Sequence, residues 1–212
     1  VTVFACKPNS DPDQAVAIEV TLPDAGQVEV TDSFFPSARA LNGDGDSVAA
    51  TIYWSSFDSL IIRVLDSTTG VSLAESVGTG RLQARVETIR SNPLPVSVLA
   101  RIDTVQADGP VQDTVVAPDS ISVGLAVRAL ATGGQASGRP VAYAATIFPT
   151  GGSTVTFVPN DTVLTSSVGV ASVQIKYLSG PLPDSVVVLA TMRRLDGTPI
   201  GNPVKFVVEF RP

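Results

Sequence analysis

Histidine is absent from the 212 residues, and cysteine, tryptophan and methionine occur once each. Without histidine there is no Ser-His-Asp or Cys-His catalysis and no His-ligated zinc. The single cysteine, Cys6, can close no intrachain disulfide and build no Cys-rich metal site. Lysine is scarce too, with only Lys7, Lys176 and Lys205 present. None of them stands in the Gly-Lys-Ser/Thr frame of a phosphate-binding loop. No apolar run approaches the ~20 residues needed to span a bilayer as a helix. Acidic side chains outnumber basic ones 20 to 14, a formal charge of −6, which argues against nucleic acid as a partner. No carboxylate pair has a defined setting for acid–base work. These absences predict a protein that is not an enzyme, has no cofactor or transition metal and acts on no small-molecule substrate.

What is present is a strand pattern. Hydrophobic residues make up 44% of the chain and charged residues 16%, enough apolar material for packed cores and too much for disorder. Leu82, Ala84 and Val86 alternate with Arg81, Gln83, Arg85 and Glu87. Val16, Ile18, Val20 and Leu22 repeat the pattern, as do Ala171, Val173, Ile175 and Tyr177, and Val204, Phe206, Val208 and Phe210. Period-2 alternation puts one face on a core and the other in water. Turn signals recur about every dozen residues, among them residues 42–46, Thr69-Gly70, Asp108-Gly109-Pro110, Gly151-Gly152 and Asp196-Gly197.

Short strands at this spacing, over a length that holds two domains of about 100 residues, predict an all-β chain of two tandem antiparallel immunoglobulin-like β-sandwiches. The division expected is an N-terminal arm at 1–14, a first domain at 15–100 and a second at 101–212. The junction holds no Pro, Gly or Ser cluster, so a short, stiff connection is expected. Charge is uneven: residues 1–100 carry 12 acidic and 6 basic side chains, and the rest carry 8 of each. The first half therefore holds all of the net charge.

Particular strings extend this reading. Gly26-Gln27, the acidic turn at 42–46, Ile52-Tyr53-Trp54-Ser55-Ser56 with Asp58, Asp66-Ser67-Thr68-Thr69-Gly70, and Gly78-Thr79-Gly80 before Leu82–Val86 follow one another in order. Over about residues 15–100 this order resembles the group 2 bacterial immunoglobulin-like domains of intimin-type surface adhesins. The bulky Leu60-Ile61-Ile62-Arg63 and Phe34-Phe35-Pro36 depart from that pattern. Gly138-Arg139-Pro140-Val141, Thr165–Ala171 and Asp196-Gly197-Thr198-Pro199 make the second half similar to the group 1, invasin-type domains. Both resemblances imply a structural or adhesive module of the bacterial envelope, and neither implies catalysis.

Four places are candidates for function. Val3-Phe4-Ala5-Cys6 resembles the end of a bacterial lipoprotein signal, which makes Cys6 a candidate for lipidation and residues 7–14 a polar tether. Asn42, Asp44 and Asp46 alternate in a loop and form a weak candidate for Ca²⁺, although Ser47 and Tyr53 break the EF-hand pattern. Phe34 and Phe35 are adjacent, and in an alternating strand only one of them can face the core. Phe57, followed by Leu60–Ile62, puts further large apolar residues in a loop region. Phe34, Phe35 and Phe57 are therefore the candidate protein interface. Arg193-Arg194 is expected to be a solvated turn flank.

The function expected is that of a noncatalytic envelope protein, exported to the periplasm or cell surface. It would be an accessory subunit docking on other envelope proteins of a membrane-associated complex, with membrane anchoring through Cys6. The alternative is an adhesin or surface-stalk fragment that binds a glycan or host protein. A carbohydrate-binding module is disfavoured by the lone Trp54, because sugar platforms usually need several aromatics.

Overall fold

A computed structural model describes residues 14–212, which form strands, turns and one short 3-10 turn at Pro23–Gly26. The chain divides into two compact units, Val1–Leu99 and Ala100–Pro212. The last strand of the first unit, Leu94–Leu99, and the first strand of the second, Arg101–Ala107, are separated in sequence by Ala100 alone.

The first unit is built from three small sheets. In the largest, Gly78–Val86 pairs with Ile89–Arg90, Leu94–Leu99 and Tyr53–Ser56, and Gln27–Glu29 joins along Leu94–Leu99. A second sheet runs Ala17–Thr21, Ser37–Leu41, Ser47–Val48, and a third runs Ser33–Phe34, Ser72–Ala74, Ile62–Val64. Leu82, Ala84 and Val86 are buried, as their alternation requires. Leu82 shares its core with Val28, Val30, Phe34, Ile62, Ala74, Val96 and Val98. Trp54 lies against Gly70, which has φ +80°. A Cβ there would sit 2.7 Å from the indole Nε1, so the position requires glycine for both space and backbone. The Thr-Gly string of the sequence is thus the seat of the single tryptophan.

The second unit is a two-sheet sandwich. One sheet runs Arg101–Ala107, Leu125–Thr132, Val170–Ser179, Thr154–Val158. The other runs Gln112–Val116, Val204–Arg211, Ser185–Met192, Pro140–Phe148, Thr162–Leu164. Their inner faces meet in a core holding Ile102, Leu125, Val127, Val141, Val173, Ile175, Val186, Val188, Phe206 and Val208, all essentially inaccessible. Each such side chain contributes roughly 1.5–3 kcal/mol through burial. Tyr143 reaches into this core and donates its hydroxyl to the Ala171 carbonyl at 3.0 Å. Burial pushes the phenol's pKa well above its ordinary value.

The chain is thus all-β, in two tandem units of antiparallel sheets, with one exception to antiparallel pairing in each unit among the described residues. Gln27–Glu29 runs parallel to Leu94–Leu99, and Gln112–Val116 runs parallel to Val204–Arg211. In both cases an early strand closes the sheet edge beside the unit's last strand, which satisfies backbone groups that would otherwise be open. Alternation reads faces but not strand direction, so the sequence carried no signal for this.

Candidate functional site

The adjacent phenylalanines point to opposite sides. Phe34 pairs with Ser72 at the end of a two-residue strand and is 6% exposed within the core, whereas Phe35 is 65% exposed. Phe34 is therefore corrected from interface candidate to core residue. Strand alternation allows only one of two neighbours to face inward, and Phe34 is the one in register with Ile62–Val64 and Ser72–Ala74.

Phe57 is half exposed and begins a turn tied down along its length. Its amide donates to the Arg81 carbonyl at 3.0 Å. The Asp58 amide donates to Ser56 Oγ at 3.1 Å, and the Asp58 carbonyl accepts from Ile61 and Ile62, both at 2.9 Å. Asp58 Oδ2 accepts from the Arg81 amide and from Arg81 Nε, while Oδ1 accepts from its NH2. The guanidinium so held lies 5.5 Å from the centroid of the Phe57 ring, a cation–π arrangement. These hydrogen bonds from Arg81 hold the Asp58 carboxyl below the usual range and raise the pKa of Arg81. At the tip stands Leu60, 84% exposed. Phe57 and Leu60 are therefore displayed on a braced turn.

The acidic loop is an Asx-type turn. Asn42 Oδ1 accepts from the amides of Asp44 at 3.0 Å and Asp46 at 2.8 Å, and the Asn42 amide donates to the Asp46 carbonyl at 2.9 Å. The Asn42 oxygen offered by the sequence for Ca²⁺ is thus engaged in shaping the loop. Asp66 shapes the next turn similarly, accepting from the Thr68 hydroxyl at 2.7 Å and the Thr68 amide at 2.8 Å. These bonds, led by the Thr68 hydroxyl, lower its pKa to about 2. Arg193 donates to the Gly197 carbonyl of its own turn, at 2.8 Å. Cys6 lies outside the described residues. Among the described residues no cluster of three His, Cys, Asp or Glu side chains stands ready for a metal ion.

One feature escaped the sequence reading. Tyr53 pairs with Arg85, and Arg85 pairs with Arg90 on its other side, so three side chains stand abreast across three strands. They border a half-open groove of about 290 Å³ that is also lined by Trp54, Ser55, Ser67 and Gln83. Arg85 lies over the Tyr53 ring, 5.8 Å from its centroid. Arg85 and Arg90 are separated by only four residues of hairpin, but their opposition depends on strand register, which composition does not reveal.

By fold the molecule is an all-β protein built of two compact units of mostly antiparallel sheets. No protein-family model matches the sequence, and no curated protein matches it. Among solved structures it is similar to the adhesin InvE of Yersinia pseudotuberculosis, at 17% identity and a TM-score of 0.42 over 88% of this chain and 58% of that one. It is also similar to domains 4 and 5 of the S-layer protein SbsC, at 12% identity and a TM-score of 0.34 over 94% of this chain and 100% of the other. A third is the CupB2 chaperone of Pseudomonas aeruginosa, at 17% identity and a TM-score of 0.33 over 50% of this chain and 54% of the other. Identities and scores this low carry no role across to this chain.

Proposed function

We propose that the chain is a noncatalytic interaction module of the bacterial envelope, exported from the cytoplasm, that docks on other proteins of a membrane-associated complex. The observation that supports docking most directly is the braced turn carrying Phe57 and Leu60. Displaying large apolar side chains to water is unfavourable for an isolated domain and favourable once a partner covers them. Each is worth roughly 1.5–3 kcal/mol when fully buried. Bracing lowers the entropy lost on docking, because the turn is already ordered. Phe35 is a third outward anchor. Cys6 is proposed as a lipid attachment point. One acyl chain holds only marginally, so protein contacts would complete the anchoring.

The test substitutes Phe35, Phe57 and Leu60 singly by Ser and measures thermal stability and recovery of the native complex from its own membranes. Docking requires at least one variant to lose the complex while its stability is unchanged. If recovery simply tracks stability in all three, the interface lies elsewhere. Labelling spheroplasts with a membrane-impermeant reagent tests the compartment; protection alongside cytoplasmic controls would sink the export reading.

A further inference from the structure

We infer that the groove bordered by Tyr53, Arg85 and Arg90 is an acceptor for a carboxylate-bearing segment of a protein partner, an inference that rests on the docking reading above. Arg85 and Arg90 are directly opposed on neighbouring strands. Cross-strand partners have Cβ atoms about 5 Å apart, and like charges placed so are destabilising. Neither guanidinium has a carboxylate within ion-pair distance among the described residues, and no acidic side chain lines the groove. The arrangement is unusual for a half of the chain whose net charge is −6. Other arginines of the same unit are matched: Arg39 with Glu19, Arg63 with Glu75 and Arg81 with Asp58. An incoming anion would relieve the repulsion that the fold leaves unbalanced.

The geometry favours carboxylate. The Arg85 guanidinium lies over the Tyr53 ring at 5.8 Å from its centroid, a cation–π arrangement, and a guanidinium presents N–H donors in a fork that matches a planar carboxylate in bidentate fashion. The open shape of the groove favours a protein over a free small molecule. Pockets that enclose small ligands hold roughly 300–1,000 Å³ and cover most of the ligand surface. This groove lies open to solvent and covers only part of an occupant, so one carried by a larger body gains further contacts. Arginine and tyrosine are also side chains enriched at protein interfaces.

Trp54 lines the groove through the strand it shares with Tyr53 while its indole packs on Gly70, so binding is read by isothermal titration calorimetry. The probes for the full chain are a ten-residue peptide of alternating Glu and Gly, its Gln–Gly counterpart and oligogalacturonate. The Glu peptide is expected to bind saturably at low salt, and the Gln peptide is not. Arg85→Gln and Arg90→Gln are each expected to weaken the Glu peptide about tenfold or more, since hydrogen bonds to charged groups are worth roughly 1.5–3 kcal/mol. Their melting temperatures should be unchanged or slightly raised. Absence of saturable binding, equal binding by the double variant, or tighter binding of oligogalacturonate than of the Glu peptide overturns the inference. Recovery of the native complex separates the two readings. Loss with Arg85→Gln/Arg90→Gln but not with Phe57→Ser or Leu60→Ser retains the groove and removes the apolar turn. The reverse retains the turn and removes the groove.

Discussion

Asp58 holds Arg81 at three points: Oδ2 accepts from its amide at 3.0 Å and its Nε at 2.9 Å, and Oδ1 accepts from its NH2 at 3.2 Å. One carboxylate thereby pins both the backbone and the side chain of a residue 23 positions away, and the pinned guanidinium lies over Phe57. The turn displaying Phe57 and Leu60 is in this way fastened to the strand Gly78–Val86.

Asp58→Ala should loosen that turn without unfolding the domain. Amide hydrogen exchange at Ile61, Ile62 and Arg81 is expected to accelerate, while exchange in the second unit stays constant. Because the pair is accessible to water, the melting temperature should move little. Unchanged exchange at these three amides would show that Asp58 does not brace the turn.

Phe34 and Phe35 should separate cleanly in denaturant titrations. Phe34→Ala is expected to cost about 3–5 kcal/mol, the range for a buried phenylalanine. Phe35→Ala, at an exposed position, should stay within about 0.5 kcal/mol of the parent. Equal losses would place both rings in the core.

Gly70→Ala tests the seat of Trp54. The added methyl meets the indole at 2.7 Å and the residue must keep φ near +80°. Strain and overpacking together should cost about 2 kcal/mol or more. The emission of Trp54 should shift with it. A variant of parental stability and spectrum would contradict the packing described.

Asp66 gives a pH dependence of definite sign. Its carboxyl titrates at about 2 in the folded chain, mainly because of the Thr68 hydroxyl, against roughly 3.9 for an unperturbed Asp. A lowered folded pKa means stability that is fully present above the unfolded value and lost as the pH falls through the folded one. The melting temperature of the parent should therefore exceed that of Asp66→Ala near pH 6. The gap should narrow between about pH 4 and pH 2. A gap independent of pH over this window would argue against the charge-assisted turn.

The loop of Asn42, Asp44 and Asp46 is expected to hold itself without an ion. Millimolar Ca²⁺ should leave the melting temperature unchanged, and Asn42→Ala should lower stability by about 1 kcal/mol, the usual worth of such hydrogen bonds. A calcium-dependent rise in melting temperature, abolished by Asp44→Asn or Asp46→Asn, would restore the loop as a metal site.

Alternation at 82–86, 171–177 and 204–210 was enough to establish strands and their inward faces, because side-chain direction along a strand is a local property with a period of two. Glycine at 70 and the Asx residue at 42 were legible as turns for the same reason: they act on backbone within a few positions. The sequence also limited the phenylalanine pair at 34 and 35 to one inward ring. Which ring went inward was decided by pairing with Ser72, some 40 residues on. The parallel closing strands, the grip of Asp58 on Arg81 and the opposition of Arg85 to Arg90 beside Tyr53 were likewise decided only by tertiary structure. Each depends on register between strands, and register follows from how whole sheets bury their apolar faces, which no short stretch of sequence encodes.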